Sequence, residues 1–195
     1  MSPAEPDTRI LDDPAAAAAD LIAGVAGAGG QIALAGGSTP RAAYERVAAM
    51  DVDWSRATLW FGDERCVPPE DERSNYGMVR AALLDRIVGE GPVVRRMEGE
   101  RGPHEGADRY EQLLRETFGS GPPQLDLVLL GLGPDAHCAS LFPGQPTLDE
   151  RERWAIGVDE AGMEPYVPRV TLTLPAINAA RDVVFLIAGA DKADA

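Results

Sequence analysis

LDLVLLGLGPDAHCASLFPG, residues 125–144, is a continuous apolar run that ends in a glycine-rich turn carrying Asp135 and His137. An apolar run bounded by Gly and Pro predicts a buried strand that delivers polar groups to one edge of a sheet. Ligands of open α/β sheets bind beyond the carboxyl ends of the strands. This stretch therefore predicts an α/β fold with a ligand site at Asp135 and His137.

Strand and helix patterns alternate along the rest of the chain. Short apolar runs predict strands at residues 31–35, 58–61, 125–130, 154–158, 170–174 and 183–188. Helical spacing of apolar residues predicts helices that begin near Pro14, Ser38 or Thr39, Ser74 and Pro103. This alternation predicts a mostly parallel, Rossmann-like sheet with helices on both faces, in one domain spanning residues 1–195.

The sequence also predicts two helix caps and one loop. We expect the hydroxyl of Ser38 or Thr39 to cap the second helix, and the hydroxyl of Ser74 to cap the third. After the strand at residues 58–61, Gly62 and Asp63 are expected to open a long polar loop.

The composition narrows the classes of partner. The chain of 195 residues has a formal net charge of −14, which argues against nucleic acid and against an anionic membrane surface as partners. Cys66 and Cys138 have neither a CxxC nor a Cys/His metal spacing, so both are expected to be free thiols in a reducing cytoplasm. No export signal or membrane-spanning segment is predicted, and no metal or cofactor is expected.

His137 is one of only two histidines, and its place on the turn suggests acid–base chemistry. The alternative is a histidine that merely satisfies loop hydrogen bonds. A Cys138–His137 nucleophile pair is a weaker hypothesis, because adjacent side chains rarely face each other. The other histidine, His104, is predicted to be solvated or to cap a helix.

Residues 35–40, AGGSTP, join a predicted strand to a predicted helix. Backbone N–H groups and the positive end of the helix dipole suit a phosphate there, so Gly36, Gly37, Ser38 and Thr39 are candidate phosphate ligands. The alternative is a tight turn followed by an ordinary helix cap. An acidic chain needs converging cations to hold an anion, and the motifs supply these candidates: Arg41, Arg65, Arg73, Arg169 and Lys192.

Arg65 can fork onto phosphate oxygens or pair with its acidic neighbours. Arg169 is the weaker pocket candidate, since the following VTLTL alternates as a half-buried strand does.

Four segments, in the same order, resemble the 6-phosphogluconolactonase family. They are AGGSTP at 35–40, FGDERCVPPEDERSN at 61–75, GPDAHCASLFP at 133–143 and PRVTLTLPAIN at 168–178, followed by a closing Gly-Ala-Asp-Lys at 189–192. The resemblance covers residues 32–193. A single such motif is weak evidence, whereas four in order are not expected by chance.

The resemblance implies a cytoplasmic hydrolase that converts 6-phospho-D-glucono-1,5-lactone to 6-phospho-D-gluconate in the oxidative pentose phosphate pathway. It implies that Arg65 and Lys192 contact the phosphate of this sugar lactone. Lactone hydrolysis needs a base for water and donors for the developing oxyanion. We expect His137 to be the base, Asp135 to orient it, and backbone N–H groups of the glycine turn to bind the oxyanion.

The sequence also departs from the family pattern. Ala136 stands where Gly is common and Cys138 where Thr is common; if the turn needs a positive φ, Ala136 strains it by on the order of 1 kcal/mol. Family members usually continue past the closing motif into a C-terminal helical region, so the expectation is a domain that lacks this region and leaves part of a sheet face uncovered.

Two other functions stay open at this point. A glucosamine-6-phosphate deaminase-like enzyme shares the glycine turn, Asp and His, but its loop usually continues toward Asn-Glu-Pro instead of the Ser-Leu-Phe-Pro at 140–143. A catalytically impaired sugar-phosphate-binding protein is the other alternative, prompted by the departures described above. The sequence does not specify an oligomeric state.

Overall fold

The computed structural model describes residues 6–189 and residue 192 of the chain. The helices in this part are α1 (Pro14–Gly27), α2 (Ser38–Val47), α3 (Asn75–Ala82), α4 (Pro103–Phe118) and α5 (Leu174–Asn178). The strands are β1 (Gln31–Leu34), β2 (Thr58–Phe61), β3 (Asp63–Arg65), β4 (Val93–Val94), β5 (Leu127–Leu130), β6 (Ala155–Val158), β7 (Arg169–Leu172) and β8 (Asp182–Phe185). Short 3₁₀ turns lie at Leu84–Arg86, Gly99–Arg101 and Pro146–Asp149.

The central sheet is parallel throughout, with the strand order β4-β2-β1-β5-β8. Its middle strands are apolar and buried; Ile32, Leu59 and Val128 each have no exposed surface. Strands buried on both faces are typical of α/β folds, where helices cover the sheet. On one face, Trp60 packs edge-on against Tyr110 of α4, with ring centroids 5.7 Å apart. The predicted α/β class with a mostly parallel, helix-flanked sheet is confirmed.

A second sheet of three antiparallel strands, ordered β3-β7-β6, lies beside the first. The prediction that Gly62 and Asp63 open a loop is therefore wrong, because Asp63 begins β3 and pairs with Thr171. The strand predicted to reach residue 174 ends at Leu172, and Leu174 begins α5. A search for apolar runs does not predict β3, because its residues are charged and its stability comes from pairing with a distant strand.

Of the two predicted helix caps, one is confirmed and one is wrong. Ser74 caps α3 as predicted, since its hydroxyl accepts a hydrogen bond of 3.0 Å from the Gly77 N–H. The prediction for α2 is wrong: its N-cap is Gly37, without a side-chain hydrogen bond, and Ser38 is already helical. The start of α2 therefore exposes backbone N–H groups beside glycine, instead of covering them with a hydroxyl.

Strand β8 forms one edge of the parallel sheet and leaves apolar side chains exposed. Val183, Phe185 and the nearby Ile187 expose 37%, 48% and 44% of their surface. In the described residues, every helix is too short or too polar to cross a bilayer.

Candidate active site

A cavity of about 200 Å³ opens where the carboxyl ends of β1 and β5 meet the antiparallel sheet. It gathers most of the residues singled out in the sequence, from five separate segments. The predicted site residues that line it are Gly36, Gly37, Ser38, Thr39, Arg65, His137, Arg169 and Lys192. Asp135 does not line the cavity and instead contacts the side chain of His137.

The His137 and Asp135 side chains form a close pair. Nδ1 of His137 lies 2.5 Å from Oδ1 of Asp135, and the two side chains are 17% and 38% exposed. Burial would raise the pKa of Asp135, but the hydrogen bond and the charge of His137 outweigh it and lower that pKa. An ionised Asp135 at Nδ1 favours the tautomer that carries its proton there, which leaves Nε2 as the basic nitrogen.

Gly133 makes room for this pair. A Cβ built at Gly133 would lie 2.1 Å from Nδ1 of His137 and 2.5 Å from Oδ1 of Asp135. Any side chain at this position would displace the imidazole or the carboxylate. The glycine therefore permits the pair to pack against the turn.

The loop that carries His137 contains two alanines in the left-handed region, Ala136 with φ 65° and Ala139 with φ 49°. The conditional expectation for Ala136 thus applies: the turn has a positive φ, and a non-glycine residue adopts it at a cost of about 1 kcal/mol. Despite this strain, His137 keeps its contact with Asp135. Its ring also packs on Phe142, with centroids 4.7 Å apart.

The cysteine beside the histidine is poorly suited to be a nucleophile. Burial raises the pKa of the Cys138 thiol, with a smaller contribution from the charge of Asp63. Burial likewise raises the pKa of Cys66, to about 11. Both thiols are free and are held in the protonated form, which is the weaker nucleophile.

The turn between β1 and α2 is built around close packing at Gly36. A Cβ there would lie 2.1 Å from Oδ1 of Asn75, so only glycine lets the buried Asn75 side chain approach. The Tyr44 hydroxyl holds the end of β1, because it accepts from the Ala35 N–H and donates to the Ala35 carbonyl, both at 2.9 Å. The turn is therefore fixed from below and presents its backbone to the cavity.

Two arginines, Arg65 and Arg169, line the same cavity. The Nε atoms of Arg65 and Arg169 are buried and have no hydrogen-bond partner within the described part of the chain. Nη1 of Arg65 donates to the Arg73 carbonyl at 2.7 Å, and Arg65 forms no ion pair with its acidic neighbours among the described residues. The alternative prediction, a surface salt bridge between Arg65 and its acidic neighbours, is therefore wrong for the described residues.

Arg169 is more deeply buried than its strand-like context indicated, with 2% of its surface exposed. Its Nη2 donates to the carbonyls of Pro165 at 2.9 Å and Met163 at 3.3 Å, and Nη1 lies 3.8 Å from Oδ2 of Asp63. Burial lowers its pKa, and the charge of Asp63 opposes that effect. Arg169 therefore places a confined positive charge at the cavity.

Other candidates lie elsewhere. Arg41 pairs with Glu45 at 3.0 Å and Arg73 pairs with Asp71 at 2.7 Å, both at the surface outside this cavity. His104 is 72% exposed and its Nε2 lies 3.0 Å from Asp159. Lys192 lines the cavity, while Ala190 and Asp191 of the closing motif are outside the described residues.

Sequence reasoning missed a set of buried polar residues at the cavity: Asp63, which lines it, and Glu64, Asn75 and Ser140, which do not. Glu64 accepts hydrogen bonds from the backbone N–H groups of Arg65, Asn75 and Tyr76 at 2.7–2.8 Å. Burial, the largest influence, raises its pKa, while these hydrogen bonds oppose the rise. The sequence held little local signal for them, because Asp63 and Glu64 follow Gly62 and resemble the start of a polar loop.

In residues 6–189 and 192, no group of three or more His, Cys, Asp or Glu side chains is arranged to hold a metal ion. The donors at the cavity are instead arginine nitrogens, an imidazole and backbone groups. This set suits an anionic organic ligand.

Comparison with known proteins gives consistent results. The family described as "Glucosamine-6-phosphate isomerases/6-phosphogluconolactonase" matches residues 9–195. A 6-phosphogluconolactonase of Nostoc sp. is 43% identical over 165 residues, covering 83% of this chain and 67% of the relative. Another, of Streptomyces coelicolor, is 39% identical over 200 residues, covering 96% and 73%.

A solved structure, the 6-phosphogluconolactonase from Trypanosoma cruzi, superposes with a TM-score of 0.85 at 31% identity. The superposition covers 96% of this chain and 82% of that one. Its high score extends the likeness from sequence to the arrangement of the strands and helices.

Proposed function

The chain belongs to the glucosamine-6-phosphate isomerase/6-phosphogluconolactonase family, and on that premise we propose that it hydrolyses 6-phospho-D-glucono-1,5-lactone with His137 as the general base. The product is 6-phospho-D-gluconate, and the reaction is the lactonase step of the oxidative pentose phosphate pathway. The enzyme is thus a carboxylic ester hydrolase, as its 6-phosphogluconolactonase relatives are by name.

One observation carries the mechanism. His137, whose Nδ1 lies 2.5 Å from Oδ1 of Asp135, lines the same cavity as the Gly36–Thr39 turn, Arg65 and the buried Arg169. A base, an acid that orients it and a set of anion ligands are the parts that hydrolysis of a phosphorylated lactone needs.

In the proposed reaction, water attacks the lactone carbonyl carbon and gives a proton to Nε2 of His137. Asp135 stabilises the imidazolium that forms, as its lowered pKa keeps it ionised. The tetrahedral intermediate then breaks its bond to the ring oxygen, which takes the proton back from His137. A positioned base contributes about 10²–10⁴-fold, which suffices for an ester that also hydrolyses without a catalyst.

The phosphate is assigned to the cationic end of the cavity. The backbone at the start of α2, Arg65 and Lys192 are its proposed ligands, and Arg169 adds positive charge next to them. A buried N–H without a partner costs about 1–3 kcal/mol, and substrate oxygens would supply partners to Nε of Arg65 and Arg169. These residues overcome the repulsion that a net charge of −14 imposes on an anion.

The oxyanion donors need one revision. The N–H of Gly133 donates to the His137 carbonyl at 2.8 Å, so this group of the glycine turn is already used by the loop itself. We therefore assign the oxyanion to cavity donors other than the Gly133 N–H.

The geometry weighs against a protein that binds the sugar phosphate without turning it over. Ala136 accepts the left-handed conformation, and His137 remains in the cavity with its carboxylate partner. We also propose a cytoplasmic location, which rests on the two free thiols of Cys66 and Cys138.

The experiment is a continuous assay of fresh 6-phosphogluconolactone with the spontaneous rate subtracted. The expected result is hydrolysis by the wild-type chain and no release of ammonia from glucosamine 6-phosphate. Ammonia release would identify a deaminase instead. Binding of 6-phosphogluconate without any rate above the spontaneous one would replace the enzyme with a binding protein.

A further inference from the structure

A buried carboxylate in the wall of the cavity, Asp63, has no part in the proposed proton transfers. Asp63 is 6% exposed, belongs to β3 and is one of the residues that line the cavity. Its Oδ2 accepts a hydrogen bond of 2.6 Å from the Ser140 hydroxyl, and its Oδ1 accepts one of 3.0 Å from Nδ2 of Asn75. Nη1 of Arg169 is 3.8 Å from Oδ2. Asp63 thus joins three segments that are far apart in sequence.

The hydrogen bond from Ser140 reaches the loop of the catalytic pair. Ser140 follows Ala139 and is three residues after His137, and it is completely buried. Its backbone N–H also donates to Oγ1 of Thr171 at 3.2 Å. Both of its bonds therefore attach the His137 loop to the antiparallel sheet.

This attachment opposes the strain of the loop. Ala136 and Ala139 both have a positive φ, which costs about 1 kcal/mol each and which the surrounding contacts must enforce. Contacts within the loop, such as Gly133 N–H to His137 carbonyl, do not fix it relative to the cavity. Ser140 does so, because its partners belong to β3 and β7.

The other oxygen of Asp63 reaches the phosphate-binding turn through Asn75. The Asn75 side chain packs so closely on Gly36 that a Cβ there would lie 2.1 Å away. Glu64 holds the Asn75 backbone N–H at 2.7 Å. A shift of the Asp63 carboxylate would therefore be felt at both ends of the cavity.

We propose that Asp63 is a positioning residue, which through Ser140 sets the place of His137 relative to the ligand held by the Gly36 turn and Arg169. The inference rests on the proposed lactonase function for its kinetic consequence. Its structural content, that the Asp63–Ser140 bond orders the imidazole, holds for any ligand of this cavity.

The experiment compares Ser140→Ala with Thr173→Val. Each variant deletes a buried hydroxyl that donates a 2.6 Å hydrogen bond, to Asp63 in the first case and to the Arg153 carbonyl in the second. Thr173 lies outside the cavity. The expected result is a fall in kcat of about 10–100-fold for Ser140→Ala, with KM changed by less than about 3-fold, and no such fall for Thr173→Val.

A second readout does not need turnover. The chain has only two histidines, so substitution of either one assigns the imidazole NMR signals to His137 and His104. We expect the Nδ1–H signal of His137 to shift or broaden in Ser140→Ala and to be unchanged in Thr173→Val. This readout separates the two proposals: an inactive wild-type chain would refute the lactonase, whereas the NMR comparison still decides the role of Asp63.

Asp63→Asn is the second variant, used also if Ser140→Ala does not fold. Asp63 accepts at both oxygens, and an amide offers only one acceptor oxygen, so it must lose the bond to Ser140 or to Asn75. A drop in kcat and a changed His137 signal support the proposal. An unchanged His137 signal in both variants, or equal losses in Ser140→Ala and Thr173→Val, overturns it.

Discussion

The two sheets of the molecule meet at one cavity but differ in what they contribute to it. The parallel sheet is built from apolar strands such as Gln31–Leu34 and Leu127–Leu130, and it delivers two turns that follow those strands. The antiparallel sheet buries charge: Asp63 is 6% exposed, Glu64 3% and Arg169 2%. The middle strands of the parallel sheet bury apolar side chains alone, whereas the antiparallel sheet buries charged side chains among apolar ones.

The difference shows how the cavity keeps cations in an acidic chain. A strand made only of apolar side chains cannot bury a guanidinium, because a buried charge needs a charged partner and hydrogen bonds. The antiparallel sheet can, because Arg169 meets Asp63 and two backbone carbonyls there. Four predictions test this difference between the sheets and the turns they carry, starting with the largest expected loss in the free energy of unfolding.

Arg169→Met should lower the free energy of unfolding by about 3–5 kcal/mol, because it leaves the buried Asp63 carboxylate without its cation. The matched control is Arg153→Met, which removes an exposed ion pair of 2.7 Å to Asp108 and should cost about 0–1 kcal/mol. Urea denaturation of both variants measures the difference. Equal losses would mean that the antiparallel sheet does not depend on buried charge.

Gly36→Ala should lower the free energy of unfolding by about 1–3 kcal/mol, because the new Cβ meets the hydrogen-bonded side chain of Asn75. Gly131→Ala is the control for stability, since a Cβ at Gly131 has no atom within 4 Å. Thermal melts of Gly36→Ala and Gly131→Ala measure the difference. Equal losses of stability in the two variants would contradict the close packing of Asn75 on Gly36.

The sequence predicted the parallel sheet well for a physical reason. Strands such as Thr58–Phe61 bury apolar side chains on both faces, so a run of consecutive apolar residues is enough to predict them. Strand β3 consists of Asp63, Glu64 and Arg65, and nothing local distinguishes it from a polar loop. Its strand character comes from pairing with residues 169–171, more than a hundred positions away, which no local pattern contains.

Acid should destabilise the wild-type chain more than Asp135→Asn. The pKa of Asp135 is lowered in the folded state, so its contribution to stability is present above the unfolded-state pKa and is lost as the pH falls through the folded-state value. Thermal midpoints measured from pH 6 down to pH 3 should therefore converge for the two proteins. Parallel curves over this range would show that the His137 contact does not stabilise the carboxylate.

Ala136→Gly should raise the free energy of unfolding by a few tenths to about 1 kcal/mol, since glycine adopts φ 65° without strain but adds entropy to the unfolded chain. The control is Ala81→Gly, at an exposed position of α3, which should lower stability by about 1 kcal/mol. Urea midpoints would contradict the account if the two substitutions changed stability in the same direction.

The candidate site was foreseen unevenly for similar reasons. Gly36, Arg65 and His137 were identified from motifs whose resemblance extends over nearly the whole chain. Ser140 and Asn75 were not, although both lie within those motifs, because their function depends on contacts with Asp63 that only the folded chain shows. Motifs thus indicated the groups that face a ligand better than the groups that hold them in place.

The most direct measurement is the rate of lactone hydrolysis by His137→Gln, beside Cys138→Ser and the wild type, with 6-phosphogluconate binding measured for each. The account predicts that His137→Gln loses about 10²–10⁴-fold in kcat and still binds 6-phosphogluconate, while Cys138→Ser keeps its activity. A His137→Gln variant with the wild-type rate would contradict the assignment of His137 as the general base.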